Sequence, residues 1–271
     1  LPLSQHIGKP SSLLVEPGDQ VLGGQLLADA DGMVSVPLHA PTSGTVVAIE
    51  PRPVPHPSAL NNLCLELACD GEDRWVASAG CEDWRAETPE SLIARIRAAG
   101  IAGMGGAGFP TAVKLMARDR LPLHTLIING TECEPYITAD DTLMQVDAVA
   151  IVEGAQILAY ILGVEQILLA VEDNKPAALE AMQAAVKATD GSCEVMTFPT
   201  KYPSGGEKQL IEILTGQQVP AGGLPADLGI VCQNPGTAVA ARDAICLGKP
   251  LTDRIVTLTA VSYTHLRAHE T

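Results

Sequence analysis

A short glycine-rich stretch has the residue types of a phosphate-binding loop. Residues 103–111 read Gly-Met-Gly-Gly-Ala-Gly-Phe-Pro-Thr, and Lys114 follows within one helical turn. The glycines permit positive φ angles and let the backbone approach a ligand that a Cβ would obstruct. Pro110 and Thr111 are typical of a helix start, which would turn backbone N–H groups and the positive dipole end toward the loop. The stretch predicts a phosphate cradle, and the alternative is a tight turn between two helices.

The glycine spacing also matches the dinucleotide-binding pattern G-x-G-x-x-G through Gly103, Gly105 and Gly108. That pattern binds a dinucleotide only when a strand lies immediately upstream. Residues 91–100 instead show helical apolar spacing, with Ser91 as the candidate N-cap and a glycine as the stop. The standard Rossmann assignment is therefore excluded.

Three further polar loops follow predicted strands or precede predicted helices, at residues 129–136, 201–208 and 233–237. Each alone is an ordinary solvated turn, but ligands of parallel sheets bind at the carboxyl ends of the strands. We therefore expect all four loops to converge on one sheet edge. Their acidic residues suit the N–H and O–H groups of a flavin, ribose or nicotinamide, while Lys114 and the loop N–H groups would bind phosphate.

Composition narrows the function classes. The 271 residues are 46% hydrophobic and 18% charged, which indicates about two globular domains. The net charge of −15 argues against a nucleic-acid partner. No uncharged apolar run is long enough to span a bilayer. The seven cysteines form no C-x-x-C pair, so we expect free thiols, a reducing compartment and no metal site.

The chain divides into an all-β part and an α/β part. The first sixty or so residues are strand-rich and resemble the biotinyl/lipoyl barrel-sandwich fold, but residues 29–40 contain no lysine to carry a prosthetic group. This predicts a docking or spacer module. Prolines at 51, 53, 55 and 57 predict a stiff, extended connection.

Beyond residue 88, strands alternate with helices, which predicts a Rossmann-like α/β layer with a mainly parallel sheet. The predicted strands are 124–129, 166–171 and 194–198, and the predicted helices are 142–161, 175–187 and 206–214.

Four motifs in order resemble one known family. GMGGAGFPTAVK, INGTECEPYITADD, KYPSGGEKQL and QNPGTA are very similar to the RnfC subunit of the Rnf (or Rsx) electron-transport complex, and more distantly to the FMN- and NADH-binding subunit of respiratory complex I. HIG, HAPTSGTV and PHPSAL extend the resemblance over about residues 1–260. It implies a barrel-sandwich domain at 1–68, an FMN/NADH-binding α/β domain of the complex I flavoprotein type at 69–250 and the start of another domain at 251–260. An abrupt change in composition predicts a non-native tail at 261–271.

The resemblance implies a bacterial, peripheral subunit on the cytoplasmic face of the inner membrane. It would bind FMN, accept hydride from NADH and pass electrons to iron–sulphur carriers on the ferredoxin side, beside other subunits of the complex. The 4Fe-4S clusters of the family are expected in a full-length protein but not here, because the cluster-binding cysteines are absent.

The resemblance also implies site residues, all of them positioning residues rather than catalytic acids or bases. The implied FMN-binding residues are Gly103, Gly105, Gly106, Gly108, Lys114, Asn129, Glu132, Tyr202, Gly205, Glu207 and Asn234, and the implied NADH-binding residues are Phe109 and Glu134.

Four positions depart from the complex I pattern. Met104 replaces an arginine, Thr131 an aspartate and Gly206 a glutamate, while Pro235 stiffens the last loop. Two alternatives to an NADH-oxidising module therefore stay open: the cobalamin reductase of bacterial microcompartments, which has a similar domain order, and a non-catalytic scaffold subunit.

Overall fold

A computed structural model describes residues 1–54, 60–119, 121–189 and 191–258. The predictions for Pro55, Pro57 and the tail at 261–271 fall outside these ranges. The described strands are β1 (Ser12–Leu13), β2 (Gln20–Val21), β3 (Leu26–Asp29), β4 (Leu38–His39), β5 (Gly44–Pro53), β6 (Asn61–Cys69), β7 (Thr125–Asn129), β8 (Gln166–Glu172), β9 (Cys193–Phe198) and β10 (Ile230–Gln233). The described α-helices are α1 (Pro89–Ala98), α2 (Thr111–Leu115), α3 (Ala139–Val146), α4 (Ala148–Leu162), α5 (Pro176–Ala188), α6 (Glu207–Thr215) and α7 (Pro235–Arg242).

The N-terminal part is a small sandwich of two three-stranded sheets, as the sequence predicts. One sheet has the order β1-β3-β4 and the other β2-β5-β6. Leu27, Val46 and Leu65 are fully buried between them. These side chains form a compact core of their own, separate from the larger core of the α/β part.

The predicted proline connection is wrong for Pro51 and Pro53. Both lie in β5, which pairs antiparallel with β6 from Gly44↔Cys69 to Pro53↔Asn61. Proline cannot donate to a ladder, but β2 covers only the first two residues of β5. Among the described residues, no strand pairs with the other edge of β5 at the prolines, so they are tolerated there.

The α/β part contains a four-stranded parallel sheet in the order β10-β7-β8-β9. The sequence prediction of a mainly parallel sheet is confirmed. Residues 125–128 of β7 are buried, as expected for a central strand covered by helices on both faces. Because all four strands point the same way, the loops after them meet at one edge.

Two helix predictions are corrected. The N-cap of α1 is Thr88, whose side chain accepts a hydrogen bond from the Ser91 N–H, so Ser91 is inside the helix. The predicted single helix 142–161 is two helices, α3 and α4, which meet at a 97° bend. Asp147 between them has non-helical φ and ψ angles of −139° and 37° and ends one helix while starting the next. Aspartate favours such positions because its short polar side chain competes with the helical backbone.

Within the described ranges no single helix is long and apolar enough to cross a membrane, although the bent pair α3 and α4 reaches that length and composition together.

Helix α4 is the centre of the larger core. Eleven of its fifteen residues are buried, and it packs closely against α7. At the crossing, a Cβ on Gly154 would lie 2.1 Å from the carbonyl oxygen of Ala238. Only a glycine permits this approach, which fixes α7 and the loop that precedes it.

Candidate functional site

The four predicted loops line a single cleft of about 2000 Å³ at the carboxyl edge of the parallel sheet. All thirteen residues that the sequence resemblance implies for FMN and NADH lie in its wall. Residues outside the four loops complete the wall; they include residues 4–7, 60 and 62 of the barrel module, residues of helix α3, and residues 249–251 and 253–257. The convergence expected from strand order is therefore confirmed, while the role of each residue stays a prediction.

The glycine loop is a closed turn rather than a simple helix start. Gly103 N–H donates to the Phe109 carbonyl at 2.8 Å, and Met104 N–H donates to Thr237 Oγ1 at 2.9 Å. Gly105 has a φ of +73°, and a Cβ there would lie 2.6 Å from Asn234 Nδ2. The loop is thus fitted against the 233–237 loop at a position where a side chain has no room.

Contrary to the sequence prediction, the helix after the glycine loop does not present a set of free N–H groups to the cleft. It begins at Thr111 and has five residues. The N–H of Thr111 donates to the Ile101 carbonyl, and the N–H groups of Val113 and Lys114 both donate to the Pro110 carbonyl. The helix start therefore offers few free donors, and an anion in the cleft would rely on the backbone of the glycine loop itself.

Lys114 crosses the cleft to a carboxylate. Its Nζ lies 2.8 Å from Glu207 Oε1, and both side chains are about one-third exposed. Glu207 is the first residue of α6, where a carboxylate is favoured by the helix dipole. The expected positive charge is present but partly neutralised, so a phosphate would share or displace this partner.

The loops after β7 and β9 are bonded to each other. Asn129 Nδ2 donates to the Gly205 carbonyl at 2.8 Å, while its Oδ1 accepts from Thr131 Oγ1 at 2.6 Å. A Cβ on Gly205 would lie 2.3 Å from Thr131 Oγ1. The threonine that replaces aspartate in the complex I pattern is thus buried and engaged within the wall.

A cluster of carboxylates links the second loop to the third. Glu132, at a φ of +50°, accepts from the N–H groups of Asp140 and Asp141 and so caps α3. Asp140 Oδ2 accepts from Asn234 Nδ2 at 2.6 Å, and Asn234 Oδ1 accepts from Gly236 N–H and caps α7. Burial, followed by the charge of Glu132, raises the pKa of Asp140 to about 7.

Aromatic and acidic side chains predicted for the nucleotide lie at the open face. Tyr202 is 79% exposed and Phe109 is 40% exposed, and Glu134 is also exposed. The peptide bond between Tyr202 and Pro203 is cis. Exposed aromatic faces at the rim suit stacking against a planar ring.

Gln233 and Asp140 were not singled out from the sequence, although both stand in motifs that were. Gln233 ends β10, is 5% exposed and lines the cleft, and its Nε2 has no hydrogen-bond partner among the described residues. A buried donor without a partner costs about 1–3 kcal/mol. The phosphate, hydroxyl and carbonyl oxygens of FMN would satisfy it, so the donor set of the cleft fits that cofactor.

The barrel module contributes directly to the cleft. Ile7 N–H donates to the Gly108 carbonyl at 3.1 Å, which joins the leading segment to the glycine loop. His6 is nearly buried: its Nε2 accepts from Val36 N–H, and its Nδ1 lies 3.0 Å from the Ile7 carbonyl. The predicted spacer therefore also forms a wall of the site.

All seven cysteines lie among the described residues, and no disulfide joins any two of them. In the part of the chain that the structure describes, no group of three or more His, Cys, Asp or Glu side chains is arranged to hold a metal ion.

Two family models match successive parts of the chain. The family model of the RnfC Barrel sandwich hybrid domain matches residues 1–72, and that of the Nuo51 FMN-binding domain matches residues 96–243. Two proteins named as subunits of an ion-translocating oxidoreductase complex, from Pseudomonas aeruginosa and Salmonella arizonae, are each 54% identical, over 95% and 96% of this chain. These matches cover 33% and 38% of the relatives, so the chain spans about a third of their length.

Solved structures share the fold. An NAD+-reducing NiFe hydrogenase in the H2-reduced state matches with a TM-score of 0.51 and 26% identity, over 60% of this chain and 32% of that one. The air-oxidized hydrogenase matches with a TM-score of 0.53 and 23% identity, over 64% and 36%. The chain belongs to the RnfC family, and in it an RnfC barrel sandwich hybrid domain precedes a Nuo51 FMN-binding domain.

Proposed function

We propose that this chain is an electron-entry module that binds FMN in the cleft and uses it to accept electrons from NADH. The observation that carries the proposal is the convergence of all four motif loops on one cleft within a matched FMN-binding domain. Bound FMN would take two electrons as hydride and release them singly, which suits transfer from NADH to iron–sulphur carriers.

Different residues of the cleft would bind different parts of the cofactor. The glycine loop and Lys114 would bind the phosphate, and the buried amide of Gln233 would donate to another acceptor of the ligand. Asn129, Gly205 and the 233–237 loop would fix the flavin ring between them. Phe109 and Glu134 at the open face would contact the nicotinamide nucleotide. No group of the chain needs to exchange a proton for hydride transfer itself, so positioning is the main contribution.

The names of the relatives support a proposal about the wider assembly. We propose that the chain works beside other subunits of a membrane-associated ion-translocating complex, on its cytoplasmic face in bacteria. A ferredoxin-type carrier would exchange electrons with this module through iron–sulphur clusters that the described residues do not hold.

Anaerobic addition of NADH should bleach the visible absorbance of FMN bound to this protein. Reduction removes the oxidised flavin band, so a spectrophotometric titration measures it directly. A sample that binds FMN but keeps its band after NADH addition would contradict the NADH assignment and favour the scaffold alternative. A folded sample that binds no FMN at micromolar concentration would contradict the cofactor assignment as well.

Lys114→Ala should weaken FMN binding by roughly 1.5–3 kcal/mol, the range for hydrogen bonds to charged groups. Loss of the ammonium removes a donor and leaves Glu207 unpaired beside the phosphate position. Quenching of flavin fluorescence measures the affinity. Lys208→Ala, at an exposed position outside the cleft, is the matched control and should bind like the parent chain. Equal affinities for the two variants would exclude Lys114 from the phosphate site.

A further inference from the structure

Two oppositely charged side chains are buried behind the wall of the cleft without lining it. Glu172, the last residue of β8, is 4% exposed, and Lys175, just before α5, is 8% exposed. Lys175 Nζ lies 3.1 Å from Glu172 Oε2. Desolvation makes a buried pair costly, and well-packed apolar residues often replace one without loss of stability. Stability therefore does not explain why these charges are present.

Each member of the pair binds a different loop of the cleft. Lys175 Nζ donates to the Thr131 carbonyl at 3.0 Å, in the loop after β7. Glu172 Oε1 accepts from Ser204 Oγ at 2.5 Å, in the loop after β9. Asn174 Oδ1 accepts a third hydrogen bond from the ammonium at 3.2 Å, so all three of its donors are used. The pair is a fully bonded bridge between two loops that lie far apart in sequence.

The same two loops also contact each other at the cleft surface. Asn129 bonds to the Gly205 carbonyl, and a Cβ on Gly205 would lie 2.4 Å from Cys133 Sγ. Asn129, Thr131 and Gly205 all line the cleft. The wall is therefore fixed at two depths, by an amide at the surface and by the ion pair beneath it.

We propose that Lys175 and Glu172 are positioning residues that hold the loops after β7 and β9 at the separation the flavin requires. That the ligand is a flavin rests on the proposed function. The bridge between the loops does not depend on the ligand, because it joins them whatever the cleft binds. Neither residue would touch the cofactor.

Ser204→Ala tests the bridge with the smallest change, because it cuts one link and leaves both charges in place. We expect FMN affinity to fall at least tenfold and the visible circular dichroism of the bound flavin to change. Amide hydrogen exchange should rise in residues 129–136 and 201–206 while the strands keep their protection. Ser11→Ala is the matched control, because Ser11 is a buried serine of the barrel core that bonds to the Val36 carbonyl.

A second variant separates positioning from stability. Glu172→Gln combined with Lys175→Met removes both charges and leaves no buried charge unpaired. We expect its melting temperature to stay close to that of the parent chain and its FMN affinity to fall at least tenfold.

Parent-like FMN affinity and loop exchange in Ser204→Ala would overturn the proposal, whether or not the double variant folds. If the parent chain does not bind FMN, the proposed function fails, and loop exchange in Ser204→Ala against Ser11→Ala still decides the role of the bridge.

Discussion

Replacing Asp140 with asparagine should stabilise the folded chain above pH 7. The carboxyl group titrates near its ordinary pKa of 3.8 when unfolded, while burial beside Glu132 raises its pKa to about 7 in the fold. Between these values the folded chain holds a proton that the unfolded chain has lost, so stability falls as pH rises through this window and is level above it. Asparagine keeps an acceptor for Asn234 and carries no charge.

The increase in the free energy of unfolding caused by Asp140→Asn should be absent near pH 4 and reach a few kcal/mol at pH 8. An upper value of about 4 kcal/mol follows from 1.36 kcal/mol for each unit of pKa shift. Urea unfolding at both pH values measures it. Glu134→Gln removes an exposed carboxylate from the preceding loop and should change stability by no more than about 0.5 kcal/mol. A gain for Asp140→Asn that is equal at pH 4 and pH 8 would contradict the assignment.

The groups around Asp140 explain why its ionised carboxylate lowers the free energy of unfolding. Glu132 and Glu134 raise its pKa by repulsion, whereas the hydrogen bond from Asn234 and the charge of Lys175 lower it. Sites built for ligands often carry such costs, and substitutions that remove them stabilise proteins at the expense of function. An anionic ligand entering the cleft should accordingly draw a proton onto Asp140.

Gly154→Ala should destabilise the fold and weaken FMN binding together. A Cβ at this position would lie 2.1 Å from the Ala238 carbonyl oxygen, closer than any real contact, so α4 and α7 must separate. Overpacking of this kind costs about 1–3 kcal/mol, which exceeds the gain of up to about 1 kcal/mol from replacing glycine in a helix. Because Asn234 caps α7, any shift of that helix also moves a residue of the cleft.

Denaturant unfolding and a flavin titration on one sample measure both effects. Adding Ala238→Gly to the variant is a stringent control, because the clash is with the main-chain carbonyl and removal of the Ala238 side chain should not relieve it. Recovery of stability in the double variant, or an unchanged unfolding midpoint in Gly154→Ala, would show that the helices do not meet as described.

Sequence reasoning predicted what depends on local pattern. The parallel strands and the four polar loops could be recognised because apolar runs and turn residues reveal them within a few positions. Strand order then placed the three loops that follow strands at one edge of the sheet. The bend at Asp147 and the N-cap at Thr88 were missed because several polar residues nearby suit such positions equally well.

The contacts that define the site could not be predicted in the same way. Lys114 and Glu207 are 93 positions apart, and Asp140 and Asn234 are 94 apart. No local periodicity encodes such pairs, because they depend on the packing of whole helices against the sheet. Glu132 illustrates the point: its motif implies contact with the flavin but does not reveal that its carboxylate also caps α3.

The hydrogen bond from Ile7 N–H to the Gly108 carbonyl makes the barrel module part of the cleft in the α/β domain. A protein engineer who cut the chain between the two matched families, after residue 72 or before residue 96, would remove one wall of the cleft. The flavin domain cannot be exchanged as a self-contained cassette, since its binding site is shared across the boundary. We therefore expect the α/β part expressed alone to have a cleft that is open on the side of residues 4–7.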